Sequence, residues 1–132
     1  NVAPDAATAV LTLVFSTNGG SSYLNSNYQS GYNQYAYNTG FSGNANTTTS
    51  MYISLSITNG ANQTGAGQVW ISDITSGAYA KTMGQTTCMN GGTTYGAVFA
   101  GTQTATGINA MRVLMESGNI VTGTFKLYGV QN

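Results

Sequence analysis

The sequence has very little charge and no histidine. Lysine and arginine together number 3, aspartate and glutamate together number 3, and the formal net charge is +0. Three cations neutralise few phosphates, and phosphate contacts supply most of the non-specific affinity for nucleic acid. The same shortage of positive charge disfavours an anionic membrane surface, and no apolar run approaches transmembrane length. We therefore expect neither nucleic acid nor a membrane as a partner.

Shortages of histidine, cysteine and carboxylates also limit the chemistry. A chain without histidine has no Ser–His or Cys–His pair to activate a nucleophile. Its single cysteine, Cys88, cannot form an internal disulfide, and we expect it to be a small buried apolar residue. Soft metal ligands are lacking, and a calcium site would need several clustered carboxylates, whereas this chain has only Asp5, Asp73 and Glu116. We expect no metal, no cofactor and no enzymatic activity.

One enzymatic alternative stays open, a glycosidase pair formed by Asp73 and Glu116. The sequence gives no reason for these two carboxylates to meet in space. We favour local pairing, in which Asp73 closes a strand and pairs with Lys81, while Glu116 pairs across a hairpin with Arg112 or Lys126.

The chain is rich in glycine, tyrosine and small polar residues, and its apolar residues recur with a period of two. Residues 51–58 show the clearest alternation, which is typical of a half-buried strand. Residues 9–16 are apolar on both faces and predict a central strand. Residues 1–5 and 40–50 are expected to be connections, because they carry turn-forming residues. Short strands between glycine and asparagine turns, with no long helical window, predict an all-β sandwich or barrel of about eight strands.

The end of the chain is predicted to be a closing hairpin. Residues 108–116 and 120–130 each alternate in the manner of strands, and Ser117-Gly118-Asn119 forms the connection between them. This stretch also carries an unusual share of the chain's charge. We interpret three of its residues as a charge-pairing set that holds the register, or as a subunit contact: Arg112, Glu116 and Lys126.

Tyrosines among asparagine and serine residues resemble the composition of recognition surfaces. Tyr28 and Tyr32 flank Ser30-Gly31 and are expected to lie near a loop, where they are candidates for surface recognition of a glycan. For these two tyrosines a recognition role and a core role are equally supported. Trp70, Tyr35 and Tyr37 are expected to be core residues.

Several short motifs occur in an order that is itself informative. They are Asn1-Val-x-Pro4, Ser16-Thr-Asn-Gly-Gly-Ser-Ser-Tyr23, Val69-Trp-Ile-Ser-Asp73, Tyr79-Ala-Lys81, Ser117-Gly-Asn119 and Leu127-Tyr-Gly129. They are spread along most of the chain, and their order resembles a β-sandwich domain that is common in structural proteins of tailed bacteriophages. The resemblance implies one antiparallel, jelly-roll-like β-sandwich domain over residues 1–132. In such proteins another strand precedes the Asn-Val-x-Pro junction, so we expect either a truncated domain or a strand supplied by a neighbouring subunit.

The resemblance also implies a role. Such domains form the knobs of tail fibres and spikes or decorate the capsid lattice, usually as homotrimers. We therefore expect a non-enzymatic protein on the virion surface, assembled in the bacterial cytoplasm, with other virion proteins as partners and a host-surface adhesion role. The alternative is a carbohydrate-binding module or adhesin that uses the tyrosine-rich loops.

Overall fold

The computed structural model describes residues 1–37, 40–74 and 77–130, without the side chains of residues 41, 42 and 44–48. The described residues form strands and connections, with no helix among them. The ten strands are β1 (Val2–Pro4), β2 (Thr8–Ser16), β3 (Tyr28–Ala36), β4 (Gly40–Thr48), β5 (Met51–Thr58), β6 (Gly65–Ser72), β7 (Ala80–Asn90), β8 (Thr93–Gln103), β9 (Ala110–Met115) and β10 (Ile120–Gly123).

The strands form two antiparallel sheets that pack face to face. The large sheet has seven strands in the order β10-β1-β6-β7-β8-β3-β4, and the small sheet has three in the order β5-β2-β9. Strand β5 of the small sheet packs against β7 and β8 of the large sheet. The predicted all-β, antiparallel sandwich is confirmed, and the predicted strand over residues 51–58 is β5.

Strand β2 forms the centre of the core. Residues 11–16 are all buried, so both faces of this strand are covered, as its apolar pattern predicts. Leu13 and Phe15 belong to the same buried cluster as Met51 of β5 and Cys88 of β7. Each large apolar side chain buried in this way stabilises the fold by about 1.5–3 kcal/mol. The expectation that Cys88 is a small buried residue is confirmed, and burial raises the pKa of its thiol to about 11.

The two expected connections prove to be strands. Val2–Pro4 forms β1, which lies between β10 and β6. Residues 40–48 form β4, which pairs with β3 from Ala36↔Gly40 to Tyr28↔Thr48. Composition favours a loop for both stretches, but a neighbouring strand that offers a full ladder of main-chain partners stabilises even a polar, glycine-containing segment as a strand.

The predicted closing hairpin is wrong. Strand β9 pairs with β2 in the small sheet, whereas β10 pairs with β1 in the large sheet. Strand β10 ends at Gly123, and residues 124–130 lie outside any strand. The alternating pattern indicates which residues share a face of each strand, but it does not indicate which strand is the neighbour. Here β9 and β10 belong to different sheets.

The turn that separates β9 from β10 is held by Asp5. The Asp5 N–H donates to the Asn119 carbonyl at 3.0 Å, and the Asn119 N–H and side-chain amide donate to the two carboxylate oxygens of Asp5 at 2.6 and 2.9 Å. These bonds from Asn119 lower the pKa of Asp5 below its ordinary 3.8. Their contribution to stability is therefore present above pH 3.8 and is lost as the pH falls through the lowered pKa.

Replacing Gly118 with alanine should destabilise the protein more than the same change at Gly107. Both glycines have positive φ, 68° and 73°, so each alanine variant loses about 1–2 kcal/mol from backbone strain alone. A Cβ at Gly107 meets open space, whereas at Gly118 it collides with the Asp5 carboxylate. Denaturant unfolding should therefore show a larger loss for Gly118→Ala, and equal losses would contradict a structural role for the Asp5 contact.

Candidate functional site

Tyr28 is not a surface residue. It begins β3 and points between the sheets, where it is 1% exposed and stacks on Phe15 with the ring centroids 6.4 Å apart. Its hydroxyl accepts a hydrogen bond from the Phe15 N–H at 2.8 Å and donates one to the Leu24 carbonyl at 3.2 Å. These bonds occupy the hydroxyl, and burial raises its pKa. Of the two roles that the sequence leaves open for Tyr28, the core role is therefore the one that the structure shows, and surface recognition by Tyr28 is wrong.

Tyr32 lies on the same face of β3 and is half-buried. It lines a polar cleft of about 310 Å³, whose other lining residues include Gln34, Tyr52, Tyr95 and Glu116. In this cleft the Tyr52 hydroxyl donates to the Glu116 carboxylate at 2.5 Å. Glu116 is the one carboxylate among the lining residues, so the cleft offers hydrogen bonds but not the paired carboxylates of a glycosidase.

The alternative of a glycosidase pair formed by Asp73 and Glu116 is not supported, because the two carboxylates have separate partners. Asp73 follows β6 in the large sheet and forms an ion pair with Lys81, which confirms the predicted local pairing. Glu116 follows β9 in the small sheet, with Tyr52 as its partner. Among the described residues no three His, Cys, Asp or Glu side chains lie close enough to hold a metal ion.

The predicted charge-pairing set does not form either. The Arg112 guanidinium lies 4.2 Å from the centroid of the Tyr23 ring, a cation–π contact, while Glu116 accepts its hydrogen bond from Tyr52. Residues four apart on one strand are about 13 Å apart at about 3.3 Å per residue, which is too far for an ion pair. Lys126 lies beyond the end of β10. Within the described residues, the one ion pair of the protein is Lys81 with Asp73.

The outward face of the large sheet carries an exposed apolar groove. Trp70 pairs with Met83, Met83 with Ala100, and Ala100 with Gly31, so these four residues form one row across β6, β7, β8 and β3. Trp70 and Met83 are 51% and 61% exposed. The expectation that Trp70, Tyr35 and Tyr37 are core residues is wrong, because all three side chains are exposed.

The next row supplies the other side of this groove. Gln85 pairs with Val98 and Val98 with Asn33, which places two amides and an exposed aliphatic side chain beside the first row. We call the space between the two rows the outer-face groove. It measures about 830 Å³, and no lysine, arginine, aspartate or glutamate is among its described lining residues.

The second exposed apolar feature is the C-terminal segment, residues 124–130. Four of its side chains are between 52% and 85% exposed: Phe125, Leu127, Tyr128 and Val130. Within the described part of the chain, its main-chain groups have no hydrogen-bond partners. The sequence predicted strand periodicity here, and the structure places that periodic segment beyond the last paired residue of β10.

Replacing Tyr28 with phenylalanine should destabilise the fold without changing any surface. The variant loses the hydroxyl that satisfies the buried Phe15 N–H, which should cost about 1–3 kcal/mol. Tyr37→Phe is the matched control, because Tyr37 is exposed and should tolerate the change within about 0.5 kcal/mol. Equal unfolding free energies for the two variants would show that the Tyr28 hydroxyl bonds are not structural.

Comparison with known proteins leaves the site to be interpreted from its own geometry. No family model, no curated protein and no solved structure matches the chain. Over the described ranges, no helix is long and apolar enough to cross a membrane.

Proposed function

We propose that this chain is a non-enzymatic structural protein on the exterior of a tailed-bacteriophage virion and that it works as a closed homotrimer. Its role is either the knob of a fibre or spike or the decoration of the capsid lattice. The C-terminal segment carries the proposal, because it exposes apolar side chains and unpaired main chain together.

Such a segment is unfavourable on an isolated monomer. Its apolar side chains lose the benefit of burial, and an extended strand-like stretch invites pairing with other chains. Both costs disappear when the segment packs on a neighbouring subunit in a closed assembly. Leu114, on the small sheet, is already half-buried, whereas Tyr128 is exposed together with the rest of the C-terminal segment, so the trimer contact is assigned to that segment.

The virion location is supported by the motif order of the sequence and by the character of the surface. Few charged side chains lie on either sheet, so contacts made through this surface depend little on ionic strength. Such a protein assembles in the bacterial cytoplasm and then faces the environment of the free particle. Its partners are copies of itself and the lattice or shaft proteins beside it.

The non-enzymatic part of the proposal is supported by the carboxylates. Asp73 is neutralised by Lys81, and Glu116 is hydrogen-bonded by Tyr52. Neither arrangement provides an acid and a base on opposite sides of one ligand position.

Glycan recognition is the second candidate function, and the outer-face groove favours it. Trp70 offers a flat ring for stacking on a sugar, and Asn33 and Gln85 offer amide donors and acceptors for hydroxyl groups. This candidate keeps the adhesin role but moves it from Tyr28 to the outward face of the large sheet.

The double variant Phe125→Ser with Leu127→Ser should dissociate the trimer without unfolding the subunit. Both side chains are exposed in the single chain, so the subunit core loses nothing. Sedimentation equilibrium should give three times the chain mass for the natural sequence and one chain mass for the double variant. Lys126→Gln, which changes the same segment but removes no apolar surface, should remain trimeric. A natural chain that stays monomeric up to high concentration would contradict the trimer.

Antibodies raised against the purified protein test the virion location. We expect them to label the outside of intact particles of a tailed phage that encodes this protein, at fibre tips or over the whole head. Label at the tips would identify a fibre or spike knob, and label over the head would identify a decoration protein. Particles that remain unlabelled while the protein is found in other fractions would contradict the proposal.

A further inference from the structure

The chain exposes one apolar feature that projects and one that is hollow. The C-terminal segment follows β10, an edge strand of the large sheet, and the outer-face groove lies on that sheet's outward face. We infer that the outer-face groove of one copy receives the C-terminal segment of a neighbouring copy. This inference rests on the proposed homotrimer and names the surfaces that would join its subunits.

The groove has the shape and chemistry of a receiving site. The small residues Ala100 and Gly31 leave the first row low, with the larger side chain of Met83 beside them in the same row and Val98 in the neighbouring row. Its volume of about 830 Å³ lies within the range of about 300–1,000 Å³ found for binding clefts. Trp70 and Met83 are of the residue types enriched at the cores of protein interfaces.

The segment has the complementary pattern. Its alternation places Phe125 and Leu127 on one side and Lys126 on the other, so an extended segment can insert two apolar side chains while the ammonium group stays in water. The groove lining is uncharged and therefore does not require a charged ligand. Asn33 and Gln85 lie at the groove, where their amides can bond to peptide groups of the segment, which lack partners in their own chain.

The contact is assigned to a second copy because the segment leaves the groove of its own chain uncovered. Strand β10 is separated from β6, which carries Trp70, by β1 alone. The segment nevertheless leaves its apolar side chains exposed, and Trp70 is exposed as well. A segment of one copy and a groove of the next are different surfaces, so they form a head-to-tail interface, which gives a ring when the rotation between copies closes.

Two other occupants explain less of the structure. Addition of the segment to an open sheet edge would satisfy its main chain but would leave Trp70 and Met83 exposed. A glycan in the groove would cover Trp70 but would leave Phe125 and Leu127 exposed. Docking of the segment in the groove covers both apolar features with a single contact.

A photo-crosslinking experiment on the full-length chain tests the inference. A benzophenone amino acid replaces Leu127, and unlabelled copies carrying it are mixed with ¹⁵N-labelled natural copies before irradiation. We expect crosslinks between the two isotopic species that map to the stretches containing Trp70 or Met83. Crosslinks to β4, β5 or β9 of a neighbouring copy would overturn the inference, because they would show that the segment docks at a sheet edge and not in the groove. The proposed homotrimer would be unaffected. Crosslinks confined to one copy would overturn the inference.

Tryptophan emission provides an independent readout, since Trp70 is the only tryptophan. Assembly should shift its emission to the blue, and dilution of the natural chain should reverse the shift. The Leu127→Ser variant should show water-exposed emission at every concentration. Val121→Ser is the matched control, because Val121 is also largely exposed but lies in β10 and not in the segment, so this variant should keep the blue shift.

Substitution in the groove completes the test. Trp70→Ala should weaken assembly roughly thirtyfold or more, as expected for an interface hot spot, while circular dichroism of the subunit stays unchanged. An undiminished trimer in this variant would overturn the inference without affecting the proposed function. Quenching of Trp70 in the intact trimer by neutral oligosaccharides would also overturn it and would assign the groove to glycan recognition.

Discussion

The hydrogen bonds between Asp5 and Asn119 tie the turn from which the last strand leaves to the start of the chain. They hold the turn after β9 against the start of the chain. The strand that follows this turn, β10, pairs with β1 in the large sheet. Gly118 permits this turn because a side chain there would collide with the carboxylate. Once β10 has joined β1 at the edge of the large sheet, the residues that follow have no further strand of their own chain beside them. The exposed C-terminal segment is the continuation of this edge strand.

The unequal size of the two sheets determines the other exposed surface. The small sheet covers the inner face of the large sheet, and the core cluster fills the space between them. The outward face of the large sheet has no covering layer within the described residues, yet it carries Trp70, Met83 and Val98. A sandwich normally presents polar residues on such a face. Apolar residues there are expected where a partner covers the face in the working protein.

Part of this could be predicted from the sequence. The alternation over residues 51–58 gave the bounds of β5, and the pairing of Asp73 with Lys81 followed from their positions around a turn. The face assignment failed for Trp70 because both faces of its strand carry apolar residues. Tyr28 is expected near a loop because Ser30-Gly31 is typical of a turn, whereas these residues lie within β3. In most proteins charged side chains mark the outward face, and this chain has too few of them to do so. The partner of β10 could not be predicted, since it depends on the contact made by Asp5, which is more than one hundred residues away in the sequence.

The central claim is that the C-terminal segment is covered by another copy of the chain. Amide hydrogen exchange at residues 124–130, measured at low and at high protein concentration, tests it most directly. In the single chain these amides lack partners, so they should exchange at the rate of an unstructured peptide when the protein is dilute. The account predicts that they become protected as the protein assembles. Unprotected exchange at every concentration, in a sample shown by its mass to be trimeric, would contradict it.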